Sequence, residues 1–220
     1  HEIRTPLNGI MGMLQLMQTT KMTVEQSDYT QTAFNSSKRL TQLLSDILDI
    51  TKVDAEKLTL ACSAFETQEL VTNIDELFGP VARQQGLDLQ LHVSPSVPPT
   101  LVGDCTRLLQ ILSNLVGNAL KFTAKGSIRV EATRLPIADT TGKTGEMSGC
   151  RLLFTVSDTG IGIPDRNLPT LFESFTQVST RYTRRNQGAG LGLAITNKLV
   201  ELMGGSLCVS SEQDVGTTFY

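Results

Sequence analysis

Residues 104–122, DCTRLLQILSNLVGNALKF, carry two patterns on one helix. Leu108, Ile111, Leu112, Leu115, Ala119 and Phe122 recur at helical spacing and predict a buried stripe. Asn114, Asn118 and Lys121 fall at i, i+4 and i+7, so they share a different face. Amide oxygens are hard ligands suited to Mg²⁺, which keeps several waters and borrows its other oxygens from substrate phosphates. A lysine one turn further would neutralise those phosphates. A merely solvated face would more often carry Glu and Lys than two asparagines bracketing Leu-Val-Gly.

Outward from this helix the period alternates. Leu87–Val93 and Ile128–Ala132 switch strictly between apolar and polar, and Leu152–Val156 and Leu207–Val209 are further strand candidates. Helical stretches at about 66–85, 104–122, 167–174 and 192–203 lie between and around them, predicting helices packed on a mixed sheet. His92 falls on the polar side of its strand and reads as a solvated residue. Pro136–Gly149 reads as a long hairpin loop. Its Gly142-Lys143-Thr144 resembles the end of a P-loop, but Ile137 stands where that motif needs glycine, so a P-loop is rejected.

The first sixty residues read differently. Leu7, Ile10, Leu14 and Met17 are spaced three, four and three apart, and Leu40, Leu43 or Leu44, Ile47 and Ile50 or Thr51 repeat that rhythm within a helix from about Val24 to Val53. The pair predicts an antiparallel hairpin. Its continuous seam is best buried by a second copy in a four-helix bundle, although packing on the rest of the same chain is an alternative.

Composition narrows the class. The 220 residues are 40% apolar, enough for a substantial core, and 19 basic against 22 acidic residues leave a net charge of −3, unlike a nucleic-acid binder. Cys62, Cys105, Cys150 and Cys208 are widely spaced and form neither a zinc cluster nor a disulfide framework. No run of about 18 apolar residues occurs. These features predict a soluble, cytoplasmic portion without direct membrane contact, which a membrane-bound parent could still carry.

Two glycine motifs follow. Asp158-Thr-Gly160-Ile-Gly162-Ile-Pro164 succeeds a strand; an aspartate there can accept a hydrogen bond from an exocyclic amine such as adenine's, and the glycines permit a tight turn and close approach. Alone, the motif could equally be a turn or part of a calcium loop. Gly188-Ala-Gly190-Leu-Gly192 runs into a helix ended by Gly204-Gly205, and backbone N–H groups at such a start make a phosphate site. The preceding Thr176–Gln187, with Arg181, Arg184 and Arg185, reads as a cationic lid over a triphosphate.

In this order the motifs resemble the sensor histidine kinases, most closely the hybrid type. "HEIRTPLNGI" (1–10) looks like the H box, "NLVGNALKFT" (114–123) the N box, "DTGIGIP" (158–164) the first glycine box, "LFESF" (171–175) the F box and "GAGLGLAI" (188–195) the second glycine box. The resemblance implies an α+β architecture: a two-helix hairpin forming a dimeric four-helix bundle at about 1–60, the dimerisation and phosphotransfer domain, then an α/β sandwich ATP-binding domain at 61–220.

It further implies that His1 is the phosphoacceptor, continuous with a matching stretch rather than a trimmed end. Asn118 would be the Mg²⁺ ligand, Asn114 and Lys121 would lie beside the phosphates, and Asp158 would read adenine. Gly160 and Gly162 would allow close approach, while Gly188, Gly190 and Gly192 would shape the lid with Arg184. A neutral imidazole is a competent nucleophile near neutral pH, and Glu2 is the nearest candidate base. Thr5, one turn from His1, would position water when a partner receiver is dephosphorylated. Pro6 would clash with the carbonyl of Glu2 and bend the helix there. Asn114 stands where topoisomerase-like relatives carry a water-activating glutamate, which favours transfer to a side chain over ATP hydrolysis. The expected reaction passes the γ-phosphoryl of Mg-ATP to His1 and onward to a receiver aspartate. A catalytically weak interaction module that modulates another kinase is the alternative.

Overall fold

The computed structural model describes residues 2–54, 58–136, 150–173, 176 and 190–220. The chain divides into two compact units, His1–Leu58 and Thr59–Tyr220.

In the first unit, α1 (Arg4–Gln18) and α2 (Val24–Asp54) form the expected hairpin. Glu2 and Ile3 lie in a turn, so Pro6 occupies the third helical position, where a backbone N–H has no intrahelical acceptor and its loss costs nothing. Thr23 and Gln26 start α2 with a reciprocal capping box: the Gln26 N–H donates to the Thr23 hydroxyl at 3.2 Å, and the Thr23 N–H to Gln26 Oε1 at 3.0 Å. The Gln18 amide meets Gln31 at 2.9 Å, and the Thr41 hydroxyl reaches Met11 Sδ at 3.5 Å, which sets the antiparallel pairing. The seam is only partly covered. Leu7 is buried and Leu14, Leu43 and Leu44 are half-buried, but Ile10 and Leu40 remain 52% and 53% exposed, with Met17 and Ile47 also open.

The second unit is a layer of helices on a mixed sheet. β2 (Asp88–Val93) pairs parallel with β4 (Ser127–Leu135); β5 (Arg151–Asp158), β7 (Gly216–Phe219) and β6 (Val209–Glu212) extend the sheet antiparallel, in the order β2-β4-β5-β7-β6. The parallel pair requires a crossover, which α4 (Cys105–Phe122) supplies. The register places Leu91, Val130, Val156, Phe219 and Val209 in one row across all five strands. The adjacent row, Gln90, Arg129, Ser157, Thr218 and Ser210, is polar, and Arg129 Nε donates to Gln90 Oε1 at 3.0 Å within it. One sheet face therefore belongs to the core and the other to water. His92 is exposed on its strand, as expected.

Three differences from the sequence reading have local causes. β1 (Ser63–Glu66) and β3 (Thr100–Gly103) form a separate two-stranded sheet, and both, like β7, are too short to display a period. The expected helix at 167–174 is instead a 3₁₀ turn, Asp165–Asn167, followed by further turns through Phe172. The α4 stripe is wider than expected, because Val116 and Leu120 are also buried where α3 (Thr67–Gln85), α5 (Gly192–Leu202), β4 and β5 all pack on that helix. The 142–144 segment and the cationic stretch at 177–187 lie outside the described residues.

Asp104 anchors α4. Its carboxylate accepts the Arg107 N–H at 3.0 Å as an N-cap and the Ala61 N–H at 2.9 Å across 43 residues. Burial opposes its charge, but the Ala61 and Arg107 N–H groups, the Arg107 guanidinium and the Thr106 N–H together hold the carboxyl below its ordinary range. A depressed carboxyl stabilises the fold above its unfolded value and loses that contribution as pH falls through the folded one. Asp104→Ala should lower stability by about 1–2 kcal/mol at neutral pH. The difference from wild type should shrink in denaturant titrations taken below about pH 4.

Candidate functional site

Three pieces of chain meet around α4: its own polar face, the end of β5 and the start of α5. The first contact is backbone to backbone. Where β5 ends, the Ile161 N–H donates to the Phe122 carbonyl at 3.2 Å, which seats the 158–162 loop on the last turn of α4. A Cβ at Gly160 would stand 2.5 Å from that carbonyl oxygen, and one at Gly162, where φ is +63°, would stand 2.0 Å from the Glu212 carbonyl. The room these glycines make is thus taken up by the protein's own backbone, which fixes the loop between α4 and the β6–β7 hairpin.

Asp158 sits at the head of this loop. One carboxylate oxygen accepts the Gly160 N–H at 2.8 Å in an Asx turn, and its register partners are Ile128 on β4 and Thr217 on β7. Burial pushes the carboxyl up; the Gly160 and Thr217 N–H groups and the Thr123 hydroxyl counter this without cancelling it. Thr217 is buried, and its hydroxyl shares a 2.9 Å hydrogen bond with Ser211, which also accepts the Ile163 N–H at 2.8 Å. The sequence does not single out Thr217 and Ser211, because the four residues of β7 show no period and do not reveal that the strand closes beside Asp158.

On α4, Asn114 and Asn118 are half-buried and one turn apart. The Asn114 Nδ2 donates to the Thr196 hydroxyl at 2.8 Å, and its Oδ1 lies where a Cβ at Gly192 would come within 2.3 Å. Asn114 therefore clamps the first turn of α5 against α4, and Gly192 is required for that fit. Thr196, one turn beyond Gly192, is a second residue the sequence did not single out. Asn118 has no hydrogen-bond partner among the described residues, which leaves its amide oxygen open to a ligand. Lys121 Nζ lies 4.8 Å from the Phe122 ring centroid, a cation–π contact at the end of the helix.

Gly190 adopts φ +70° immediately before α5, and Leu191, the residue that caps it, is fully buried. Such a turn leaves the first N–H groups of α5 without intrahelical acceptors. The polar face of α4, this helix start and Asp158 together offer a hard oxygen, a cation, free N–H donors and a carboxylate. No group of three or more His, Cys, Asp or Glu side chains that could hold a metal occurs among the described residues. Glu2 and Thr5 are both exposed at the start of the hairpin. His1, Arg184 and Gly188 lie outside the described residues.

Comparison with known sequences matches residues 1–56 to "His Kinase A (phospho-acceptor) domain" and residues 103–220 to "Histidine kinase-, DNA gyrase B-, and HSP90-like ATPase". The whole chain is 37% identical to the signal transduction histidine-protein kinase BarA of Escherichia coli K12, and 38% identical to the sensory/regulatory protein RpfC of Xanthomonas campestris. It spans 23% and 29% of the lengths of those relatives. Among solved structures, full-length ShkA in complex with AMPPNP superposes on the whole chain with a TM-score of 0.77 at 35% identity, over 43% of its own length.

Two substitutions separate conformational strain from crowding. Gly162→Ala should destabilise the protein more than Gly86→Ala: both positions have positive φ, but nothing lies within 4 Å of a Cβ at Gly86. Equal shifts in denaturation midpoint would show that the Glu212 contact yields. Asp158→Asn should raise the stability of the free protein near pH 7, because a carboxyl raised by folding stabilises only while protonated and loses that contribution as pH rises. The gain should vanish below about pH 4.

Proposed function

The chain belongs to the histidine kinases, with a phospho-acceptor domain followed by an ATPase domain, and from that premise we propose that it transfers the γ-phosphoryl of Mg-ATP to His1 and then to an aspartate of a receiver domain. The observation that carries this reading is the juxtaposition around α4: a half-buried carboxylate where β5 ends, together with an uncommitted asparagine, a lysine and a helix start. These groups match the two ends of a nucleotide. Asp158 accepts the exocyclic amine of adenine, while Lys121 and the N–H groups after Gly190 face the phosphates.

The residues present also suit magnesium. The open amide of Asn118 is a hard oxygen ligand, and without an acidic cluster most of the remaining ligands would be water and phosphate oxygens. Bound there, the ion would neutralise charge on the phosphates. Asn114 is held by Thr196 and is a weak base in any case, so water is not activated from that position. Arg184 and Gly188 would act on the phosphates, as the family resemblance implies.

At the hairpin, an imidazole nitrogen of His1 forms a bond to the γ-phosphorus as the bond to the β-bridging oxygen breaks, releasing ADP. Glu2 accepts the proton lost from the ring. Thr5 positions water for the reverse duty, removing phosphate from a receiver. Residues 1–60 serve dimerisation and phosphotransfer, and 61–220 bind ATP. The apolar residues left open on α1 and α2, Ile10, Met17, Leu40 and Ile47, support pairing with a second copy. No helix among the described residues is long and apolar enough to cross a membrane.

In the full-length protein incubated with γ-labelled ATP and Mg²⁺, label should appear in an acid-labile, base-stable form and disappear in His1→Gln and Asn118→Asp. ATP binding without any label would favour a modulatory module instead. Ile10→Glu should shift the hairpin dimer towards monomer in sedimentation; an unchanged dimer would place the interface elsewhere.

A further inference from the structure

Thr123 caps the C-terminus of α4, is 4% exposed, and is the one side chain among the described residues whose buried polar atom has no hydrogen-bond partner. A buried hydroxyl left unpaired costs free energy, and such a group in a native fold calls for an explanation. Its surroundings supply one. The neighbouring Phe122 carbonyl holds the 158–162 loop through Ile161, and Gly160 approaches so closely that no side chain fits between. The other hydroxyl beside Asp158, that of Thr217, is already committed to Ser211. Thr123 faces the Asp158 carboxylate closely enough to favour its ionised form, yet the pair stops short of hydrogen-bond geometry.

We propose that Thr123 is a positioning residue for base recognition: on nucleotide binding its hydroxyl closes onto the Asp158 carboxylate, fixing the orientation in which the carboxylate meets the amine of the base. The inference rests on the nucleotide reading above and extends it to a residue outside the ligand-contacting set. Site hydrogen bonds that are long in the free protein commonly tighten in the complex. The unpaired hydroxyl is thus a cost carried by the free protein and relieved when ligand arrives.

The charge on Asp158 supplies the readout. Titratable neighbours on the elements packed around it are Lys121 on α4, Lys125 in the following turn, and Glu212 and Asp214 on the β6–β7 hairpin; β4 and β7 present Ile128 and Thr217, which do not titrate. None of those charges moves the Asp158 carboxyl, whose shift comes from burial set against two backbone hydrogen bonds and the nearby Thr123 hydroxyl. Removing the Thr123 hydroxyl takes away one group that favours ionisation, so protonation begins at higher pH and binding fails earlier as pH falls.

Affinity of the whole chain for Mg-ADP, measured by calorimetry from about pH 5 to 8, compares wild type with Thr123→Val and Thr123→Ser. Thr123→Val should bind progressively worse as pH falls, by about tenfold at the acid end. Thr123→Ser should restore the wild-type profile. Because valine replaces an unpaired hydroxyl with a methyl of similar shape, the melting temperature of the free Thr123→Val protein should not drop. A loss equal at every pH, or a lowered melting temperature with an unchanged profile, would make Thr123 a packing residue and overturn the proposal. Wild type failing to bind Mg-ADP would overturn the nucleotide reading and this inference with it.

Discussion

The second unit depends on a backbone contact with no space for a side chain: the loop after β5 lies on the last carbonyls of α4, held by the Ile161 N–H on Phe122. That contact sets how far Asp158 stands from the amides on α4. Burying polar backbone so closely is tolerable only because the carbonyl is paired and the residue facing it is glycine. Around it the packing is over-determined. α4 is wedged between α3 and α5 above the sheet, with Asp104 tying its start to Ala61 and Asn114 tying its middle to Thr196.

The two units spend their apolar surface differently. The sheet and its helices complete their own core, with Val116, Ile128, Leu191 and Leu199 fully buried. The hairpin leaves much of its seam in water, although its turn is well specified by Thr23 and Gln26 and by the hydroxyls of Thr19 and Thr20 on Leu16 and Met17. A helical pair with a defined turn and an unspent apolar stripe has its local structure settled and its burial left to a partner.

The site itself is a set of compromises. Burial raises the Asp158 carboxyl against its hydrogen bonds, Thr123 keeps a hydroxyl unpaired, and Asn118 leaves its amide open. The first two are unfavourable for the free fold. Asp104, Asn114 and Thr217 instead spend side-chain hydrogen bonds on other parts of the fold. The contrast separates residues that build the site from residues that wait to be used.

The sequence by itself determined the local periods and the motifs: both hairpin helices, the long helix at 105–122, the alternating strands, and the order of asparagine, aspartate and glycine boxes that identifies the family. Those signals are legible because helix and strand impose fixed spacings on neighbouring residues. Only the tertiary structure decided that the protein's own backbone closes on Gly160 and Gly162, that Asn114 bonds to Thr196 on α5, and that Thr217 and Thr123 lie beside Asp158. Likewise β1, β3 and β7 exist because a partner strand pairs with them, and residues 168–172 turn where helix was expected. In each case the deciding contact joins segments far apart along the chain, and no local spacing encodes which distant segment will arrive, at what distance, and with which hydrogen bonds already taken.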